Sequence, residues 1–195
     1  ANYFGLGDEV TDRMAEELPW QLAEAEAWDE LQPWLTHIPM FLRLNIRSWL
    51  ELWGYWRGII DTTGEKPDLG LEYRQALDAW RKDLGSSMTD ESERAEAHRF
   101  ALNRVQEFLL KTGDACAAEP FARECLDLTI EQLGPDHPEV ATCWGAIGVL
   151  HIERGEYNHA LNNFQKGLAI YSGQLEPDDF NASSFYLNIG IVHNA

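Results

Sequence analysis

Two stretches of the chain repeat one another at a fixed distance. "WGAIGVLH" at 144–151 and "YLNIGIVH" at 186–193 align at an offset of 42 residues, which pairs Ile147 with Ile189, Gly148 with Gly190 and His151 with His193. Trp144 then pairs with Tyr186, one large aromatic with another. The same step carries Gly113 and Asp114 onto Gly155 and Glu156, Ala118 onto Ala160, Leu126 onto Leu168, and Leu128 onto Ile170. "QLGPD" at 132–136 meets "QLEPD" at 174–178 with four identities in five. One register held over that span defines a repeat, with copies at about 99–140, 141–182 and a truncated 183–195. A unit of this size cannot bury its apolar face alone, so copies must stack on one another.

Within one copy, the residue types dictate a helical hairpin. Trp144, Ile147, Gly148 and His151 fall on one side of a first helix, A, at spacings that share a face. Gly155 in "ERGEY" suits the end of that helix. Ala160, Phe164 and Gly167 recur along one side of a second helix, B. Small residues at Gly148, Ala160 and Gly167 let the two backbones approach, while Trp144, Tyr157 and Phe164 fill the space between hairpins. A glycine inside a helix costs about 1 kcal/mol relative to alanine, so each one needs a reason. Gly148 recurs and belongs to the packing seam. Gly145 is replaced by Leu187 in the next copy, and is expected to leave space for a partner's backbone.

Helix formers dominate the rest of the chain, and no alternating strand segment appears. Helices are expected at about 8–25, 28–36, 46–61, 68–84, 90–112, 115–133, 137–154, 157–175 and 179–194. Pro19 should kink or divide the first of them. In "LGSSMTDESE", Gly85 reads as a helix C-cap, and Asp90 with Glu93 as a capping box. A boundary is expected there, with residues 1–86 a helical connector and 87–195 the repeat array. Seven of the eight Trp lie before it, at 20, 28, 34, 49, 53, 56 and 80.

Trp144, Ile147, Gly148, Gly155, Tyr157, Ala160 and Phe164 resemble the tetratricopeptide repeat signature in order and spacing. That unit usually has about 34 residues, so eight more amount to roughly one turn per helix. The longer form, with "LGPDHPEVA" between copies, resembles the kinesin-light-chain type. The resemblance covers about 99–195. His151 stands where the signature prefers Tyr, and Gly167 where it prefers Ala. In the first copy Leu102 and Gln106 replace the aromatic and the glycine, as in an atypical terminal repeat. The implied fold is all-α, with helix–turn–helix units stacked as a right-handed α-solenoid. "EELPWQLAEAEAWDELQPWLTHIPMFLRL" (Glu16 to Leu44) resembles the helical connector of nephrocystin-like STAND ATPases, which carry a NACHT or NB-ARC module, then a connector, then sensor repeats.

Charge and motif content narrow the function. A net charge of -18 disfavours nucleic acid and anionic membrane as partners. Residues 1–30 hold nine acids against Arg13, and 113–140 hold seven against Arg123; such excess reads as a solvated face, the alternative being electrostatic selection of a basic or neutral partner. No run approaches the roughly 18 apolar residues of a membrane span. "ANYFGLGDEV" has no signal-peptide pattern, and without an initiator Met the chain reads as a segment of a longer polypeptide. Cys116, Cys125 and Cys143 read as buried thiols of a cytoplasmic protein. No phosphate-cradling loop is present, "TTGEKPDLG" having the wrong spacing. No HExxH, close Cys/His pair or GxSxG appears. His151 and His193 read as packing residues and His137 as a turn or cap residue. No enzyme activity, metal or cofactor is therefore expected. Trp49, Trp53 and Trp56 share a helix face and read as a core stripe rather than an aromatic ligand cage. Arg43, Arg47 and Arg57 read as solvated surface, with a patch for an acidic segment of an ATPase module as the alternative; a second reading of the whole segment has its helices pack on such a module and hold it inactive.

The function implied by the resemblance is a protein-interaction scaffold. Stacked repeats form a groove walled mainly by helix A. The positions expected to line it are Asn103, Glu107, Gly145, Val149, Ile152, Leu187, Asn188 and Ile191. In tetratricopeptide domains an Asn at the place of Asn188 often bonds the ligand backbone; Ala146 stands there in the preceding copy. The Lys/Asn set that grips a terminal carboxylate is absent. The expected partner is a protein or peptide, apolar or basic rather than acidic.

Overall fold

The structure, a computed structural model, describes residues 10–172 and 180–193. The "ANYFGLGDEV" stretch up to residue 9, the "QLEPD" junction at 174–178, and Asn194 and Ala195 of the truncated copy lie outside the described residues. Among the described residues every element is a helix: α1 (Asp12–Glu24), α2 (Trp28–Thr36), α3 (Ile38–Thr63), α4 (Leu69–Ser87), α5 (Glu91–Lys111), α6 (Ala115–Leu133), α7 (Pro138–Glu153), α8 (Tyr157–Ser172) and α9 (Phe180–His193). The protein is all-α, as its repeat implies. The chain divides into two compact units, residues 1–108 and 109–195, and the division falls inside α5.

The N-terminal unit is built on an aromatic core. Phe41 packs on Tyr73 with ring centroids 4.7 Å apart and on Phe108 at 5.8 Å. Trp56 is fully buried, and its Nε1–H donates to Tyr73 Oη, which in turn donates to the Leu35 carbonyl, each at 3.2 Å. Burial pushes the Tyr73 phenol far above its ordinary pKa, so it stays a donor. Trp53 meets Phe108 edge-on at 6.5 Å. The Trp53–Trp56 face is therefore core. Trp28 lies against Gly58, where a Cβ would come within 2.5 Å of the indole. That glycine allows close approach of α2 to α3.

Several boundaries differ from expectation for physical reasons. Helix α3 starts eight residues early at Ile38–Pro39, proline being well placed in a first turn. It breaks locally at Ser48 (φ -163°, ψ 106°), whose Oγ accepts from Glu51 N at 3.2 Å and starts the helix again. Helix α1 runs through Pro19 without dividing. Gly85 is not a C-cap: α4 continues to Ser87 and ends at Met88. Asp90 does cap α5, its Oδ1 accepting from Ser92 N (2.8 Å) and Glu93 N (3.2 Å).

In the C-terminal unit α6, α7, α8 and α9 each pack on the next, so the helical hairpins stack in the manner of an α-solenoid. Of the three cysteines, all thiols rather than disulfides, Cys125 is buried, Cys143 half-buried, and Cys116 exposed against expectation.

Candidate functional site

The surface of α7 and α9 is set by how each hairpin closes. His137 caps α7 through Nδ1, which accepts from Glu139 N at 3.2 Å, and Pro138 opens the helix. At the far end Gly155 (φ 71°) turns the chain, and Glu156 N donates to the His151 carbonyl at 2.8 Å. Gly113 (φ 86°), with Asp114 N donating to Leu109 O at 2.9 Å, repeats this turn 42 residues earlier. Only a residue free of Cβ strain takes this conformation cheaply. Between the helices, a Cβ on Gly148 would lie 2.5 Å from Phe164 Cε1. Phe164 and Ala160 are fully buried. Gly148 therefore belongs to a packing seam.

Gly145 is explained by packing too, which corrects the expectation for it. Phe185 of α9 sits over Gly145 and Gly167. A Cβ at Gly145 would be 3.1 Å from its Cζ, while one at Gly167 would collide with the same ring and lie 3.0 Å from the Ala141 carbonyl oxygen. The glycine admits the next repeat's aromatic. One repeat earlier Cys143 takes the place of Phe185 and Thr129 that of Tyr171. Thr129 Oγ1 lies 3.6 Å from Cys143 Sγ, and the Tyr171 and Phe185 rings are 5.7 Å apart. The contact is conserved in position and changed in chemistry.

The remaining groove positions divide between the units. In the N-terminal unit, Asn103 accepts from Gln106 Nε2 at 3.1 Å and Glu107 pairs with Arg104 at 3.2 Å, both half-buried. In the C-terminal unit, Val149 and Ile152 are partly buried against a cluster of Ala141, Ala160, Phe164, Tyr171, Phe185 and Val192. Leu187 is 66% and Ile191 47% exposed, one turn apart on α9, with Asn188 half-buried beside them. Arg43 bonds Asp12 at 3.2 Å, and Arg47 pairs with Glu51 at 2.5 Å and bonds the Ala15 carbonyl, so both arginines are engaged within their own unit, with Arg43 Nη1 buried and unbonded.

A charged cluster ties α6 to α7 and the α7–α8 turn. Glu119 of α6 accepts from Arg123 at 2.5 Å and from Arg154. Arg154 also holds Glu156 Oε1 at 2.7 Å, and His151 Nδ1 lies 2.6 Å from Glu156 Oε2. Burial raises the Glu119 pKa, but the two arginines outweigh it and hold the carboxyl below its ordinary range. For Glu156 the His151 hydrogen bond is the largest cause of a lowered pKa, with Arg154 adding to it. Sequence reading missed this cluster because Glu119 and Arg154 are far apart along the chain.

Residues 99–173 match the tetratricopeptide repeat family model. This segment is similar to tetratricopeptide repeats. A TPR repeat-containing protein of Dictyostelium discoideum is 22% identical over 189 residues, 94% of this chain. The chain spans only 11% of that relative's length. BtubC (BKLC) from P. vanneervenii has a solved structure that aligns with a TM-score of 0.47 and 15% identity, over 93% of this chain and 80% of that one. Tetratricopeptide repeats serve in general as protein–protein interaction scaffolds. Among the described residues no helix is long and apolar enough to cross a membrane.

Proposed function

We propose that this chain is a non-catalytic scaffold whose tetratricopeptide repeats hold an apolar or basic peptide or protein segment along the helix A surface. The observation that carries this reading is the exposed pair Leu187 and Ile191 beside Asn188. Apolar side chains one turn apart, left in water and rimmed by polar groups, mark interaction surfaces. Their repeat equivalents Gly145 and Val149 are covered in the structure, Gly145 by Phe185. The net charge of -18 favours encounter with basic segments and repels acidic ones.

In this reading residues 87–195 are the binding array, residues 1–86 the helical connector, and the setting cytoplasmic. Selection from a random peptide library tests it. Enriched sequences should combine apolar and basic residues, and Leu187→Glu or Ile191→Glu should abolish their binding without lowering Tm. Enrichment of acidic peptides, or binding that survives both substitutions, would refute it.

A further inference from the structure

The turn between α7 and α8 brings together three side chains of metal-binding type. His151 lies in the last turn of α7, Glu156 follows Gly155, and His159 lies in the first turn of α8. One ring nitrogen from each histidine and one Glu156 carboxylate oxygen all lie within 4.8 Å of one another. The two imidazoles stand 5.3 Å apart, tilted by 33°. We propose that His151, Glu156 and His159 form a divalent transition-metal site, with Zn2+ as the best-fitting ion, that clamps helix A to helix B of this repeat.

Three observations support it. The donor set is right: two imidazole nitrogens and a carboxylate suit Zn2+, with bonds of roughly 2.0–2.2 Å. Donors around such a tetrahedral ion stand about 3.3 Å apart, as those bond lengths dictate. Glu156 Oε2 and His151 Nδ1 are already closer than that, and the exposed His159 ring can rotate to close the third edge. The carboxylate is also held from outside. Arg154 bonds Oε1 at 2.7 Å and is itself anchored on Glu119, which leaves Oε2 aimed at His151. Outer partners of this kind orient metal ligands. Finally, the backbone is fixed by the left-handed Gly155 turn, so the spacing of the three residues does not depend on a mobile loop. The fourth position opens to solvent beside His159 and would hold water. The first repeat has Leu109, Asp114 and Ala117 at these places, so the site belongs to this repeat alone among the complete copies. The spacing 151, 156 and 159 crosses a helix break and matches no helical zinc motif.

Calorimetric titration of the full chain with ZnCl2 at neutral pH tests the site. One equivalent should bind, and His159→Ala should weaken it by at least ~10-fold, the loss that even outer-shell partners cause. His137→Ala and the exposed-thiol variant Cys116→Ser should bind as the unmodified chain does. Circular dichroism checks that His159→Ala keeps its helices. Nitrogen-15 spectra of the imidazoles give a second readout, in which the His151 and His159 signals shift together on adding Zn2+. Equal affinity in His159→Ala, loss of binding in Cys116→Ser, or shifts confined to other histidines would each overturn the proposal.

Discussion

Replacing Gly148 by alanine sets two effects of known size against each other. The substitution removes a helix-interior glycine, a gain of about 1 kcal/mol. It also places a methyl 2.5 Å from Phe164 Cε1 and 2.8 Å from Cδ1 and Cζ. Carbon atoms pack best at roughly 3.5–4.0 Å, so the ring must retreat by about 1 Å. Phe164 is fully buried and held edge-on by Phe185 at 6.2 Å, so it has nowhere open to go. Overpacking of this kind costs about 1–3 kcal/mol. The cost wins, and Gly148→Ala should destabilise by about 1 kcal/mol, with Gly148→Leu nearer 3. Gly190 occupies the same repeat position on α9, yet a Cβ there meets nothing within 4 Å. Gly190→Ala should therefore stabilise, by up to about 1 kcal/mol. Thermal melts followed by circular dichroism give the comparison, since 1 kcal/mol shifts Tm by roughly 4–8 °C in a unit of this size. A double variant with Phe164→Leu should recover part of the Gly148→Ala loss. Equal or higher Tm for Gly148→Ala, or matching effects at both glycines, would refute the seam.

Phe185→Ala empties the pocket over Gly145 and Gly167 and should cost about 3–5 kcal/mol, with loss of α9 protection in hydrogen exchange. Tyr73→Phe breaks the Trp56–Tyr73–Leu35 chain and leaves the Leu35 carbonyl without that donor; denaturant titration should read a loss of about 1–3 kcal/mol. Glu119→Gln removes the charge that anchors Arg154 and Arg123, for about 1–2 kcal/mol at neutral pH. Because the folded-state pKa of Glu119 is lowered, its contribution is present above the unfolded value of about 4.3 and is lost as pH falls through the folded value. Acid titration of Glu119→Gln should accordingly show a shallower loss of stability below about pH 4.3.

What the sequence showed and what it hid follow from the range of the interactions. The repeat was legible because Gly148, Gly155 and Ala160 answer to a hairpin's internal packing, which lies within one copy. The start of α3 was not. Ile38, Pro39, Met40, Phe41, Leu42 and Leu44 are all buried, so the run is apolar on every side and has no helical period to read. Gly85 looked like a terminus, yet a glycine inside a helix costs only about 1 kcal/mol, which α4 tolerates. Gly145 was misread because Phe185, the residue that explains it, belongs to the next repeat. The Glu119–Arg154–Glu156–His151 cluster was hidden for the same reason, since Glu119 reaches it only through folding.

The binding role of α9 can be measured directly. Two extended peptides with the same apolar residues, one spaced by Lys and one by Glu, are titrated into the nitrogen-15-labelled chain at low and high salt. The account predicts that the Lys peptide binds more tightly, that added salt weakens it, and that Leu187, Asn188 and Ile191 carry the largest shifts. Tighter binding of the Glu peptide, or Lys-peptide binding that leaves those three signals unmoved, would contradict it.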